Sequence, residues 1–371
     1  MKVAIIHDWL VVNGGAEKVL QEIITLYPGA DLYTLVNFLP EKDTQWLNGC
    51  TIHTSFIQTL PFARKQYRLY FPLFPIAIEQ FDMSGYDLVI SSSHAVAKGV
   101  ITGPKQTHIC YCHSPARYAW DLQHEYLREA KLHSGLKSVL ARYFLHKFRI
   151  WDTRTSNGVD LFISNSNFIK ARIRKCYGRL SETLYPPVDT SRFGLNENKD
   201  DYYLAASRLV PYKRIDLIVS SFQQLKDKKL IVVGDGPEMK KIAALASGYP
   251  NISILGYQDD KSLLSYISKA KAFIFAAEED FGIMPVEAQA TGTPVLAYGK
   301  GGSLETVVDG VTGLFFSEQS TASIIDCIHR FEQMPASFDA AAIRAHSETF
   351  SNVTFREKLK YRIELFLKEA R

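Results

Sequence analysis

Short apolar runs recur along the chain without polar alternation. Each is followed by a turn and then a helical pattern. Val3-Ala4-Ile5-Ile6 is the first such run. A strand with apolar residues at consecutive positions is buried on both faces. Sheets of such strands need helices on both sides, so the chain must wind helices and strands alternately around parallel sheets. After the first run come Asn13-Gly14-Gly15 and the stretch 16–27, where Val19, Leu20, Ile23 and Ile24 form one helical stripe. Pro28-Gly29 closes it. Further strands are predicted over 87–91, 107–113 and 161–165. The pattern restarts with strands over 202–207, 230–233, 252–255, 272–276 and 294–297. Helices are predicted over 214–225 and 261–270, and from Pro285 onward.

Between the two series lie Tyr185-Pro186-Pro187-Val188-Asp189 and the polar run 196–201. Two prolines and a charged, apolar-poor stretch mark a linker. The length of 371 residues suits two domains, each able to bury a core. The expected division is 1–190, 191–350 and a C-terminal helix over 351–371 able to pack back on the first domain. Hydrophobic residues make up 46% and charged residues 22%, which excludes a disordered chain or a collagen. No uninterrupted apolar run is long enough to span a membrane. The first apolar run is too short for a signal-peptide core and is read as a strand. Five cysteines, an odd number, are read as reduced cytosolic thiols.

Net charge is +4, but it is unevenly spread. Residues 98–179 hold 15 Lys or Arg against 5 Asp or Glu, leaving −6 for the rest. Such a region suits an anionic lipid surface, a phosphorylated substrate or nucleic acid. No nucleic-acid motif accompanies it. Two stretches interleave bases with aromatics. In 56–81, Phe62, Tyr67, Tyr70, Phe71 and Phe74 accompany Arg64, Lys65 and Arg68. That segment is read as an irregular excursion, neither a clean helix nor a clean strand, packed on the core, with a lipid-facing surface as the functional alternative. In 142–154, Tyr143, Phe144, Phe148 and Trp151 accompany Arg142, Lys147, Arg149 and Arg154. This fits a basic amphipathic helix on an anionic surface.

Candidate site residues lie at predicted strand ends, where open α/β sheets bind ligands. Arg208 and Lys213 follow the strand 202–207, and a guanidinium fork beside an ammonium suits a diphosphate. Glu279 and Glu287 flank the turn Asp280-Phe281-Gly282-Ile283. Two carboxylates there can grip sugar hydroxyls while free N–H groups bind an anion. Pro285 is expected at the first position of the following helix. Gly234-Asp235-Gly236-Pro237-Glu238 lacks the third glycine of a dinucleotide fingerprint, which argues against an NAD-dependent dehydrogenase. A plain tight turn explains it equally. Gly14-Gly15 can admit a phosphate to the backbone, and in Gly301-Gly302-Ser303 the serine is expected to cap a helix. His113 ends a strand beside Ser114-Pro115 as a ligand contact. Its neighbours Cys110 and Cys112 share the opposite face, which argues against a metal site.

Together these stretches resemble the family 4 glycosyltransferases of GT-B fold. The resemblance rests on Ser207-Arg208-Leu209-Val210-Pro211-Tyr212-Lys213-Arg214, on Gly234-Asp235-Gly236-Pro237-Glu238, and on the 279–295 and 301–313 segments. It implies two Rossmann-like doubly wound domains facing each other across a cleft. The N-terminal domain would bind acceptor and the C-terminal domain nucleotide sugar. His7-Asp8-Trp9, Gly14-Gly15-Ala16-Glu17-Lys18 and Cys112-His113-Ser114-Pro115-Ala116-Arg117-Tyr118 are similar to bacterial O-antigen mannosyltransferases. That implies GDP-mannose, retention of configuration, a polyprenyl-diphosphate-linked glycan acceptor and a place on the inner face of the cytoplasmic membrane.

The resemblance also implies roles. Arg208 and Lys213 hold the diphosphate, Glu287 takes the ribose, and Glu279 binds the transferred sugar with the N–H groups of Phe281, Gly282 and Ile283. Gly14 and Gly15 approach the phosphate, and His113 contacts the sugar. The base is expected near Gly234, Gly256 and Tyr257. With two cations on the leaving group, no metal or other cofactor is expected. Asp280 departs from the glycine that many members carry and bears on sugar choice. The alternatives are a UDP-sugar donor, a sugar-nucleotide epimerase or hydrolase, and an inactive scaffold subunit.

Overall fold

The structure is a computed structural model that describes residues 1–47, 49–334 and 338–369. It divides into two compact units. One is Met1–Pro186 joined by the C-terminal stretch from Phe355, and the other is Pro187–Thr354.

The first unit is built on seven strands. They are β1 (Val3–His7), β2 (Asp31–Thr34), β3 (Ile52–Thr54), β4 (Leu88–Ser93), β5 (Thr107–Cys112), β6 (Leu161–Ser164) and β7 (Glu182–Thr183). Their spatial order is β3-β2-β1-β4-β5-β6-β7, with every pairing parallel. Apolar side chains along β1 divide between two cores. Val3 and Ile5 join Val19, Leu20 and Ile23 on one face. Ala4 and Ile6 join Ala77, Ile78 and Val96 on the other. This is why the run does not alternate in polarity: both faces are covered. The helix Asn352–Glu369 inserts Phe355, Leu359 and Ile363, one helical stripe, into the first of these cores. Arg356 pairs with Glu22 beside it.

The second unit has β8 (Tyr203–Ala206), β9 (Leu230–Val233), β10 (Ile252–Ile254), β11 (Ala272–Phe275), β12 (Val295–Tyr298) and β13 (Gly313–Phe316). The order is β10-β9-β8-β11-β12-β13, again parallel throughout. Alternation across the sheet repeats. Tyr203, Ala205, Ile274 and Leu296 enter one core, and Leu204, Ala206, Phe273 and Val295 the other.

Both sheets reverse their winding direction once, between β1 and β4 and between β8 and β11. At such a reversal two neighbouring loops leave the carboxyl edge toward opposite faces and open a crevice.

One local expectation, the irregular excursion packed on the core, is met and given its detail, and two expectations about helix starts are corrected. The segment 56–81 is a series of short helical turns at Phe56–Thr59, Ala63–Gln66, Tyr67–Leu73 and Phe74–Glu79. Pro61, Pro72 and a left-handed Phe62 (φ 59°) interrupt them, so no continuous helical period is visible. Ile57, Tyr67, Phe74 and Ile78 pack into the core, while Phe62 and Leu69 stay exposed. The helix expected to open at Pro285 begins at Ile283 with Gly282 as its cap, which puts proline at the third position. Ser303 does not cap. It is the first residue of the helix Ser303–Thr306, and its hydroxyl donates back to the carbonyls of Tyr298 and Lys300.

Candidate active site

In the second unit the loops after β8 and β11 meet. Lys213 Nζ donates to Glu279 Oε1, and both side chains are largely shielded. The ammonium also lies 5.5 Å from the Tyr212 ring and 5.8 Å from that of Phe275. Arg208, on the same loop as Lys213, is exposed and forms no ion pair among the described residues. These three groups form one neutralised pair and one guanidinium outside any ion pair among the described residues.

Glycines bring these loops together. Gly234 has φ 135°, and a Cβ there would lie 1.8 Å from the carbonyl oxygen of Ser207. At Gly236 a Cβ would meet the Leu209 carbonyl at 2.4 Å. The Gly234–Gly236 turn is therefore a seat for the Arg208 loop, which is tied to it by Leu209 N–H to Asp235 O (2.9 Å) and Glu238 N–H to Leu209 O (3.1 Å). Gly234 N–H in turn donates to Gly256 O at 2.8 Å, beside an exposed Tyr257.

The Glu279 loop is seated in the same way. Gly302 N–H donates to Glu279 O at 2.7 Å, and a Cβ on Gly302 would lie 2.2 Å from Phe281 Cα. Gly282, at φ 91°, turns the chain into the helix Ile283–Ala290. The first N–H groups of that helix have no intrahelical acceptor, an anion-seeking arrangement. Glu287 stands in its second turn and is partly exposed.

The first unit has its own cluster at the β1–β4 reversal. The buried Asp8 carboxylate accepts four backbone N–H bonds, from His94, Ala95, Val96 and Ala97, at 2.5 to 3.0 Å. It also pairs with His94 Nδ1 at 2.9 Å. Burial opposes the Asp8 charge, but the His94 imidazole and these donors outweigh it and hold the carboxyl well below the usual range. Burial likewise opposes a charge on His94, and Asp8 outweighs it and raises the imidazole pKa. His113 follows β5, partly exposed, with Nε2 2.8 Å from Ser92 Oγ. Burial pushes its pKa well down, and the nearby His94 pushes it further. Gly15 opens the helix Gly15–Leu26, with Gly14 as its cap in extended conformation. Glu17, at the third helical position, accepts the Gly14 N–H at 3.0 Å.

Arg208, Lys213, Glu279, Phe281, Gly282, Ile283, Glu287, Gly234, Gly256 and Tyr257 all lie on the second unit. Gly14, Gly15 and His113 lie on the first. Sequence reasoning did not anticipate the direct Lys213–Glu279 pair, nor any role for Asp8, His94, Ser92 or Glu17. A carboxylate directly after a strand, in His7-Asp8, was the available signal for Asp8.

Comparison with known proteins gives a concordant result. Residues 13–192 match the model "Glycosyltransferase Family 4", and residues 188–347 match "Glycosyl transferases group 1". A GDP-mannose-dependent alpha-(1-6)-phosphatidylinositol monomannoside mannosyltransferase of Mycobacterium tuberculosis is 28% identical over 204 residues, covering 47% of this chain and 53% of the relative. A glycogen synthase of Pseudomonas aeruginosa is 29% identical over 163 residues, 42% of this chain and 31% of its own. The chain thus spans about half the length, or less, of the curated relatives it matches. The crystal structure of Anabaena Alr3699/HepE in complex with UDP is similar in fold over 98% of this chain and all of its own, with a TM-score of 0.72 and 18% identity. The two family models cover nearly the whole chain between them, and the chain belongs to the family 4, group 1 glycosyltransferases with the GT-B fold.

Proposed function

We propose that the chain is a retaining glycosyltransferase. It moves α-mannose from GDP-mannose onto a polyprenyl-diphosphate-linked glycan of the O-antigen type. The observation that carries the transferase reading is the exposed Arg208 beside the Lys213–Glu279 pair at the carboxyl edge of β8 and β11. Cleavage of a sugar–phosphate bond leaves positive charge on the sugar ring and negative charge on the diphosphate. Arg208 and Lys213 stabilise that developing negative charge, and the N-terminus of the helix Ile283–Ala290 adds to it. Glu279 binds sugar hydroxyls, and Glu287 accepts from the ribose. The leaving phosphate takes the acceptor hydroxyl proton on the face from which it departs, so the new bond keeps the α configuration. Two cations serve the leaving group, so the reaction proceeds without a divalent ion.

Support for mannose comes from the N-terminal motifs and from the mycobacterial relative, whose name specifies GDP-mannose. Calorimetric binding of a nucleotide-sugar panel in EDTA tests the donor. Selective binding of GDP-mannose is expected, whereas selective binding of a UDP-sugar would replace the donor and leave the charge roles standing. Within that assay, Glu287→Ala removes charged hydrogen bonds to the ribose. Donor affinity should fall roughly 10- to 100-fold. An unchanged affinity would refute the ribose role.

The lipid-linked acceptor brings in a membrane surface. No described helix is long and apolar enough to cross a membrane. The helix Leu136–Thr155 nevertheless leaves Leu136, Val139, Leu140 and Tyr143 exposed at helical spacing, beside exposed Lys137 and Lys147. An apolar stripe edged by lysines suits the headgroup boundary of an anionic leaflet. Binding to liposomes containing anionic lipid should weaken as salt rises. The double substitution Leu136→Glu, Leu140→Glu should lower it by roughly tenfold or more. Sedimentation with the vesicles reads both effects, and equal binding by the variant would remove this helix from the membrane contact.

A further inference from the structure

Four polar side chains form a line across the end of the first sheet. Glu17 Oε1 lies 3.5 Å from His7 Nε2. His7 Nδ1 lies 3.2 Å from Ser92 Oγ, and Ser92 Oγ lies 2.8 Å from His113 Nε2. Glu17, His7 and Ser92 are buried, and only His113 is partly exposed. Its Nδ1 forms no hydrogen bond among the described residues.

The chemistry of the first member sets the direction of the rest. Burial opposes the charge on Glu17, but its contacts with His7 and with the Gly14 N–H hold its pKa below the usual value, so it is a carboxylate. A carboxylate can only accept. The 3.5 Å separation is long for a hydrogen bond, yet His7 Nε2 is buried with no closer partner. A proton on that nitrogen faces the carboxylate favourably. A bare lone pair there would face the carboxylate oxygen, acceptor against acceptor, in a site closed to water. In the one-proton form of His7 that proton sits on Nε2, and Nδ1 becomes an acceptor for the Ser92 hydroxyl proton. The Ser92 oxygen is then free to accept from His113 Nε2. The rings of His7 and His113 both lie 6.3 Å from that of His94, whose charge is balanced by Asp8.

We propose that Glu17, His7 and Ser92 are positioning residues that place the His113 proton on Nε2 and leave Nδ1 as an acceptor for a hydroxyl of the transferred sugar. The sugar clause rests on the transferase reading, and the tautomer does not. A second consequence follows from Gly14. The other Glu17 oxygen, Oε2, accepts the Gly14 N–H at 3.0 Å. In Glu17→Gln the amide oxygen stays on that N–H, so the amide NH2 faces His7. His7 Nε2 must then accept, Nδ1 donates to Ser92, and Ser92 donates to His113 Nε2. The isosteric variant moves the His113 proton to Nδ1.

Nitrogen NMR of the full chain with 15N-labelled histidine, recorded at pH 8, reads this directly. His113 is assigned by loss of its signals in His113→Asn. In the wild type the protonated nitrogen should be Nε2, and in Glu17→Gln it should be Nδ1. A wild-type proton on Nδ1, or an unchanged tautomer in a folded Glu17→Gln, would overturn the proposal. Should that variant not fold by circular dichroism, Ser92→Ala cuts the line instead. His113 should then lose its single tautomer, and retention of Nε2–H would overturn the proposal equally. Adding GDP-mannose to the wild type separates the two claims. A shift at Nδ1 supports the sugar contact. An unmoved signal with the tautomer intact tells against the sugar clause alone.

Discussion

Lys213→Ala should lower turnover by about 10²-fold or more, measured as sugar transfer at saturating donor. Two losses combine. In the proposed role, the ammonium that meets the charge developing on the diphosphate is gone. Glu279, whose Oε1 it binds, is left as a carboxylate without its cation, beside the phosphates of the proposed donor site. The first loss acts in the transition state and lowers kcat. The second repels the donor and weakens its ground-state binding. Changing Glu279 to Gln as well, which removes the charge and keeps a hydrogen-bonding head for the sugar, should restore part of the donor affinity but none of the turnover, because residues in direct contact do not act additively. Wild-type turnover in the single variant would end the leaving-group role for Lys213. Restored turnover in the double variant would show that the ammonium serves only to neutralise Glu279.

That pair also marks where sequence reading reached its limit. The charged residues were visible one by one, because each follows an apolar run that ends at a sheet edge. Lys213 and Glu279 are 66 positions apart, and only the placement of β11 beside β8 joins them. Strand order is a tertiary property, and no local period encodes it. Most strands that were legible are central, such as Val3–His7 and Ala272–Phe275, where two cores cover the same strand, although the edge strand Ile252–Ile254 was read as well. The ones that were missed lie toward the sheet margins. Asp31–Thr34 buries only alternate residues, Ile52–Thr54 is three residues long, and Glu182–Thr183 is two. The His7–Ser92 line was hidden for a different reason. A serine in a strand and a histidine in an apolar run are ordinary in isolation, and their function lies in the register between β1 and β4, where His7 stands opposite Ser92.

The glycines are the instructive case, since a motif was seen and its physical reason was not. Gly234 and Gly236 had the look of an incomplete phosphate-binding fingerprint. Their work is to let the turn after β9 touch the loop that carries Arg208. Gly234→Ala therefore meets two penalties at once. A φ of 135° costs an alanine about 1–3 kcal/mol in backbone strain. Its Cβ would also overlap the Ser207 carbonyl, which is backbone and cannot rotate away. The loop must move or the β8–β9 edge must open. The thermal midpoint should fall by several degrees, roughly 2–4 °C for each kcal/mol lost in a domain the size of Pro187–Thr354. Donor affinity should fall with it, because Arg208 leaves its place one residue beyond Ser207. Gly29→Ala is the control, a glycine where an added Cβ meets nothing within 4 Å and the backbone is unstrained. It should keep both properties. A Gly234→Ala protein with unchanged midpoint and unchanged donor affinity would show that the loop after β8 does not depend on this seat, and the geometric reason given for the motif would fail.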